Sequence, residues 1–230
     1  MIYIIYLLII IICIAVLVKF LEISTNMKIT NTNRDFISDI YEICSKQNKT
    51  KLTRLIDWHK KYNHPFLAER SEKVDIVSGK KNNTRFAVFI HLGSFGSDNE
   101  WIEFSNIIGI PKEIEDICLS SIVRGANDID IIWGLDPLEN IEKIYLEYPE
   151  LGRIDSYIVS GLEIVDRYEY IKGKSNNPSY SFMYTRLTSS GKKDSYHMVL
   201  KEPIKYKNGI GYIISYNPIK RSYTTYYRFD

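Results

Sequence analysis

The first eighteen residues, MIYIIYLLIIIICIAVLV, contain no charged side chain, no Gly and no Pro. As a helix rising about 1.5 Å per residue they would cover about 27 Å, close to a hydrocarbon core of about 30 Å. Phe20, Leu21 and Ile23 extend the apolar length, with Lys19 reaching back toward the headgroups. Ile and Val are mediocre helix formers in water, but within lipid only a helix satisfies every backbone group of a lone segment. Tyr3 and Tyr6 stand near one end, where amphipathic rings prefer the interface. A globular core helix of this length normally keeps a polar face. A cleaved leader needs a basic start and small residues before the cut, and the chain shows neither. The expectation is a single-pass transmembrane helix over residues 1–23 in contact with membrane lipid, a tether over 24–34, and one globular domain over 35–230.

Lys19, Lys28 and Arg34 follow the apolar run, and no charge precedes it, so the positive-inside rule places the C-terminal domain in the cytosol. Cys13 falls inside the span, which leaves Cys44 and Cys118, both expected as buried free thiols on helix faces. With 30 basic and 28 acidic residues the net charge is +2, which gives no electrostatic basis for a nucleic-acid partner. Apolar residues at 45% and charged residues at 25% exclude a disordered chain.

Past the tether, Phe36, Ile37, Ile40, Ile43 and Cys44 recur at helical spacing, and Asn48 to Thr50 are expected to break that helix. Leu52, Leu55, Ile56 and His59 continue the pattern until Asn63-His64-Pro65. Lys80 to Thr84 read as a polar turn, RFAVFIHLG as a strand, and WIEF as its return strand. Pro111 suits the first position of a helix whose inner stripe is Ile114, Ile117, Cys118 and Ile122, with Gly125 closing it. DIDIIWGL and IEKIYLEY form a hairpin around Asp136-Pro137. From Ser156 onward strands dominate, with Asn208-Gly209 and Asn217-Pro218 as turns. The fold class is α+β: a helical segment, then a mostly antiparallel sheet able to curl into a barrel.

The motifs that carry chemistry are sparse. Asp128-Ile-Asp130 resembles the paired carboxylates with which sugar-nucleotide glycosyltransferases hold a divalent metal against a diphosphate. His91 precedes a Gly/Ser loop and is the further candidate for that site. Against this stands the short, common nature of the tripeptide and the lack of a nucleotide-binding βαβ pattern before it. His59 and His64, five apart across a helix end, do not share a face, and no Cys/His spacing calls for a structural metal. No cofactor motif is complete. Tyr206, Tyr212, Tyr216, Tyr223, Tyr226 and Tyr227 alternate with basic residues near the C-terminus, as in a sheet whose edges carry Lys.

The hairpin IDIIWGLDPLENIEKIYLEY and the final GYIISYNPIKRSYTTYYRFD resemble strand pairs in the antiparallel barrel of soluble aromatic prenyltransferases. The resemblance spans about forty residues, implies a barrel and maps no catalytic residue. The expected function is therefore a membrane-anchored domain that binds a partner, a protein among the options, or serves a structural role. The alternative is a tethered, metal-dependent, glycosyltransferase-like enzyme using Asp128, Asp130 and His91.

Overall fold

In the computed structural model, residues 37–229 are described apart from 39, 76–77, 80, 124–128, 138–139 and 207–208. The expected anchor and tether lie outside the described residues, as do Asp128 and Gly125. Among the described residues, no helix is long and apolar enough to cross a membrane.

Residues 37–43 are helical where described, and the chain then breaks at Ser45 instead of at Asn48 to Thr50. Ser45 is the reason. Its hydroxyl accepts from the Asn48 amide and caps α1 (Lys46–Tyr62). Asn48 is consequently a buried helical residue whose side chain donates to Asn140. Leu52, Leu55, Ile56 and His59 form the buried stripe as expected, joined by Trp58. Ile43, assigned to the inner stripe of the preceding helix, faces outward instead.

Strands β1 (Leu67–Asp75) and β2 (Lys81–His91) follow, so Lys81 to Thr84 open a strand, and the polar turn falls earlier. Asp75 makes that turn, accepting from the Ser78 and Gly79 amides. WIEF is not a strand. It lies within α2 (Asp98–Ile108), where Ser97 accepts from the Glu100 amide and Trp101, Phe104, Ile107 and Ile108 make one buried face. The segment Ser97-Asp98-Asn99-Glu100 is a helix-start signature that outweighs the strand propensity of Trp, Ile and Phe. Pro111 precedes α3 (Lys112–Val123) as expected, with Ile114 and Cys118 buried.

The remaining strands are β3 (Asp130–Asp136), β4 (Ile141–Tyr148), β5 (Arg153–Ser160), β6 (Glu163–Lys174), β7 (Tyr180–Thr188), β8 (Lys193–Tyr206), β9 (Gly209–Asn217) and β10 (Ser222–Phe229). Each pairs antiparallel with its neighbours in sequence, and β1 closes on β10, giving a ten-stranded closed barrel. The sheet expected from the sequence is thus fully curled. YHMVL and IKYK are one strand, β8, because Pro203 sits where the register slips between Val199 and Ile204 and no ladder donor is needed.

Because the barrel is a meander, the start of β1, the end of β2 and the start of β3 lie at one end. All three helices attach there, and they pack on the outer wall of β2–β5 rather than in the lumen. Phe86, Val88 and Ile90 of β2, Ile131 and Trp133 of β3, and Ile144 of β4 join Leu55, Trp58 and Phe104 in one core. Polar staples fix the layer. Glu142 accepts from Lys51 Nζ at 2.5 Å and from Trp133 Nε1 at 3.0 Å, while Lys51 also donates to the Ile108 carbonyl at 2.9 Å. That last contact ties α1 to the C-terminal end of α2.

Candidate functional site

Strand alternation sends every second side chain into the barrel. While Phe86 and Val88 face the helices, Arg85, Ala87 and Phe89 face the lumen. On β4, Ile144 and Leu146 point outward, and Lys143, Tyr145 and Glu147 point inward. The lumen is not filled. It encloses a cavity of about 310 Å³, at the small end of the range for ligand pockets. Phe89, Ile132, Ile154, Phe182, Val199 and Ile213 give it apolar walls. Gly134 contributes space, since a Cβ there would stand 3.1 Å from Tyr145 Cε2.

A polar layer crosses this lumen. Tyr170 lies 5.0 Å from the His197 ring and 6.4 Å from Tyr145, and His197 lies 5.8 Å from Tyr226. His197 Nε2 shares a 3.1 Å hydrogen bond with the Ser195 hydroxyl. Burial pushes the His197 imidazole down to about 3, and the charges of Arg186 and Lys143 push it the same way, so it is neutral. Burial likewise drives the Tyr226 phenol up to about 12 and Tyr145 well above its usual value.

The cations are unequally placed. Arg85 Nε donates to Asp136 Oδ2 at 2.7 Å. Arg186, on the same face of β7 as the cavity-lining Phe182 and Tyr184, grips Asp194 with two 2.7 Å bonds and lies over the Tyr168 ring. Lys143 lines the cavity and, among the described residues, has neither ion pair nor hydrogen bond. Burial lowers its ammonium to about 7, helped by Arg85 and Arg186 and opposed by Asp136. Glu69 and Glu147 also line the cavity, but Tyr212 donates to Glu69 and Tyr184 donates to Glu147 at 3.5 Å. Among the described residues, the site therefore holds one amine without a hydrogen-bond or ion-pair partner, facing a space with aromatic and aliphatic walls.

The residues singled out from the sequence sit elsewhere. His91 Nδ1 and Asp130 Oδ1 are 2.8 Å apart at the helix-bearing end of the barrel, both substantially exposed. They line a separate groove of about 210 Å³ together with His64 and Ser94. His64 is itself paired with Glu100 and stacked on Trp58, with 4.7 Å between ring centroids. Asp128 lies outside the described residues, and among the described residues no three His, Cys, Asp or Glu converge as a metal site. His59 is buried beneath Phe66, and burial lowers it to about 3. Cys44 and Cys118 are free and buried, as expected.

Sequence reasoning missed Arg85, Asp136, Lys143, Tyr145 and His197. The available signal was the polar partner of each alternation. In IEKIYLEY it is Lys, Tyr and Glu, the residues of an ordinary solvated face. Tyr212 and Tyr226 of the Tyr-rich C-terminal region line the cavity, whereas Tyr216 and Tyr223 remain on the outer surface.

No protein-family model and no curated protein sequence matches the chain. Among solved structures, it matches a Vibrio parahaemolyticus domain described as a candidate outer membrane lipoprotein-sorting protein. The match covers 80% of this chain and 89% of that one, with 8% identity and a TM-score of 0.25. A superposition that loose supports no functional argument.

Proposed function

We propose that this chain is a membrane-tethered binding protein whose barrel holds a small, partly apolar anion. Residues 1–23 would form the anchor in lipid and 24–34 the tether, with the barrel on the cytosolic side. The observation that carries the reading is Lys143, an amine without a partner among the described residues, opening into a cavity with apolar walls. Burying a cation unpaired is costly, and a ligand carboxylate or sulfonate would supply the missing charge. Arg85, bonded to Asp136 through Nε, offers its terminal nitrogens to the same group. The Phe and Ile walls would take the apolar remainder of the ligand.

The test is calorimetric titration of the full chain in lipid nanodiscs with 4-methylbenzoate and its neutral analogue 4-methylbenzamide. One-to-one binding of the anion is expected, with the amide weaker by about tenfold or more, the worth of a charge-assisted hydrogen bond. Equal affinity for the two, or no heat from either, refutes the reading. The anchor has its own test: the chain should stay with the membrane through carbonate washing. A second reading, a metal-dependent transferase using Asp128, Asp130 and His91, draws support from the His91–Asp130 pair beside its groove. It requires heat from Mn²⁺ with a nucleotide sugar, and silence across a panel of these ends it.

A further inference from the structure

We infer that Lys143 is a carbonyl-capturing lysine, its amine condensing with an aldehyde group of the bound ligand to form an imine inside the barrel. The inference rests on the lumen reading above and names the chemical class of ligand. Three observations lead to it. Among the described residues Lys143 has no carboxylate paired with it, whereas Arg85 and Arg186 are each paired with one, Asp136 and Asp194. Its amine therefore has its lone pair, when unprotonated, free of any competing donor. Burial in the cavity disfavours its charged form most, and the two guanidiniums, which stay charged at any physiological pH, repel a proton from it further. About half of the amine is thus neutral near pH 7, against roughly one part in several thousand for an exposed lysine. The surrounding Ile132, Phe89 and Tyr145 side chains form a cavity in which an imine carbon is shielded from bulk water.

The step balances without a further reactant. The Lys143 nitrogen lone pair attacks the carbonyl carbon, giving a carbinolamine. The two amine hydrogens then leave with the former carbonyl oxygen as water, and a C=N bond remains. The departing hydroxyl needs a proton donor. Tyr145, two residues along the same face of β4 and kept protonated by burial, can relay a proton, giving its own to the hydroxyl and taking one of the two amine hydrogens in return. Arg85 remains available for an anionic group on the far side of the ligand.

The probe is 4-formylbenzoate, which carries both an aldehyde and a carboxylate, added to the full chain in nanodiscs with cyanoborohydride and followed by peptide mass mapping. The expected result is one dominant adduct, at Lys143, formed more than about tenfold faster than at any exposed lysine. An excess of 4-methylbenzoate should suppress it. Lys143→Arg, which has no primary amine to condense, should form no adduct in the lumen. Adducts spread over surface lysines without enrichment at 143 overturn the inference. So does the absence of any adduct while 4-methylbenzoate still binds, which leaves the lumen reading intact. If neither compound binds, both readings fall.

Discussion

Replacing Lys143 with Met should make the protein more stable while removing its binding function. The folded chain holds the Lys143 ammonium at about 7, against 10.5 for the free side chain. At about 1.4 kcal/mol per unit, that difference sets a ceiling of roughly 5 kcal/mol on the cost of burying the charged form. Water entering the cavity and relaxation of the lumen reduce this, and a net gain of about 1–3 kcal/mol is expected from an apolar side chain of similar length. The pH dependence identifies the cause. As pH falls from 10.5 toward 7, the unfolded chain takes up a proton that the folded chain refuses, so wild-type stability declines through that window. Below pH 7 both states are protonated and the full penalty applies. The advantage of Lys143→Met should therefore be largest at pH 6 and shrink to a small fraction by pH 10. Urea denaturation of the full chain in nanodiscs can be followed by tryptophan fluorescence, since Trp58, Trp101 and Trp133 are all buried. A variant no more stable than wild type at pH 6, or one with the same gain at both pH values, refutes the account of a desolvated, unpartnered amine.

Acid should destabilise the protein through its two buried neutral imidazoles. His59 and His197 are each held near 3, so their contribution is complete above pH 6.5 and is lost as pH falls toward 3, at up to about 1.4 kcal/mol per pH unit for each; His197→Gln should flatten the stability curve across that range, and an unchanged slope contradicts the assignment. Glu142→Ala should cost about 2–4 kcal/mol in urea denaturation, because it strands Lys51 and the Trp133 indole beneath the helical layer. Glu142→Gln, which can still accept from Trp133, should cost less. Cys118 is fully buried with its thiol pushed up to about 12, so a thiol reagent should label it only as fast as the domain opens. Rapid labelling of Cys118 in the native chain, located by peptide mapping, would show that the α3 face is not packed as described.

How much of this was legible in the sequence depended on which face of each element met apolar surroundings. The stripe Leu52, Leu55, Ile56 and His59 declared α1, because an amphipathic helix against a core has a period that survives in one dimension. The strand pair β3–β4 and the strand β10 were readable for the same reason, with β-branched and aromatic residues between turn residues. β1 was not. Its inward side chains include Glu69 and Ser71, which face a polar lumen, so LAERSEKVD has no apolar alternation to reveal it. α2 was misread because Trp101, Ile102 and Phe104 favour strands locally, while the capping contact at Ser97 and burial against Trp58 decide for a helix.

By itself the amino-acid order showed an uncharged apolar run over residues 1–18, a helical start, a strand-rich remainder and two buried thiols. Each follows from local periodicity, composition or hydropathy. Only the tertiary structure decided that β1 closes on β10. That closure turns a row of polar residues, otherwise indistinguishable from a solvated sheet face, into the wall of a cavity. Lys143, Arg85, Tyr145 and His197 are separated by up to more than a hundred residues, and their charges and rings act on one another only because the ladder brings four different strands around one space. Desolvation is a property of that enclosure, and no pattern along the chain encodes it.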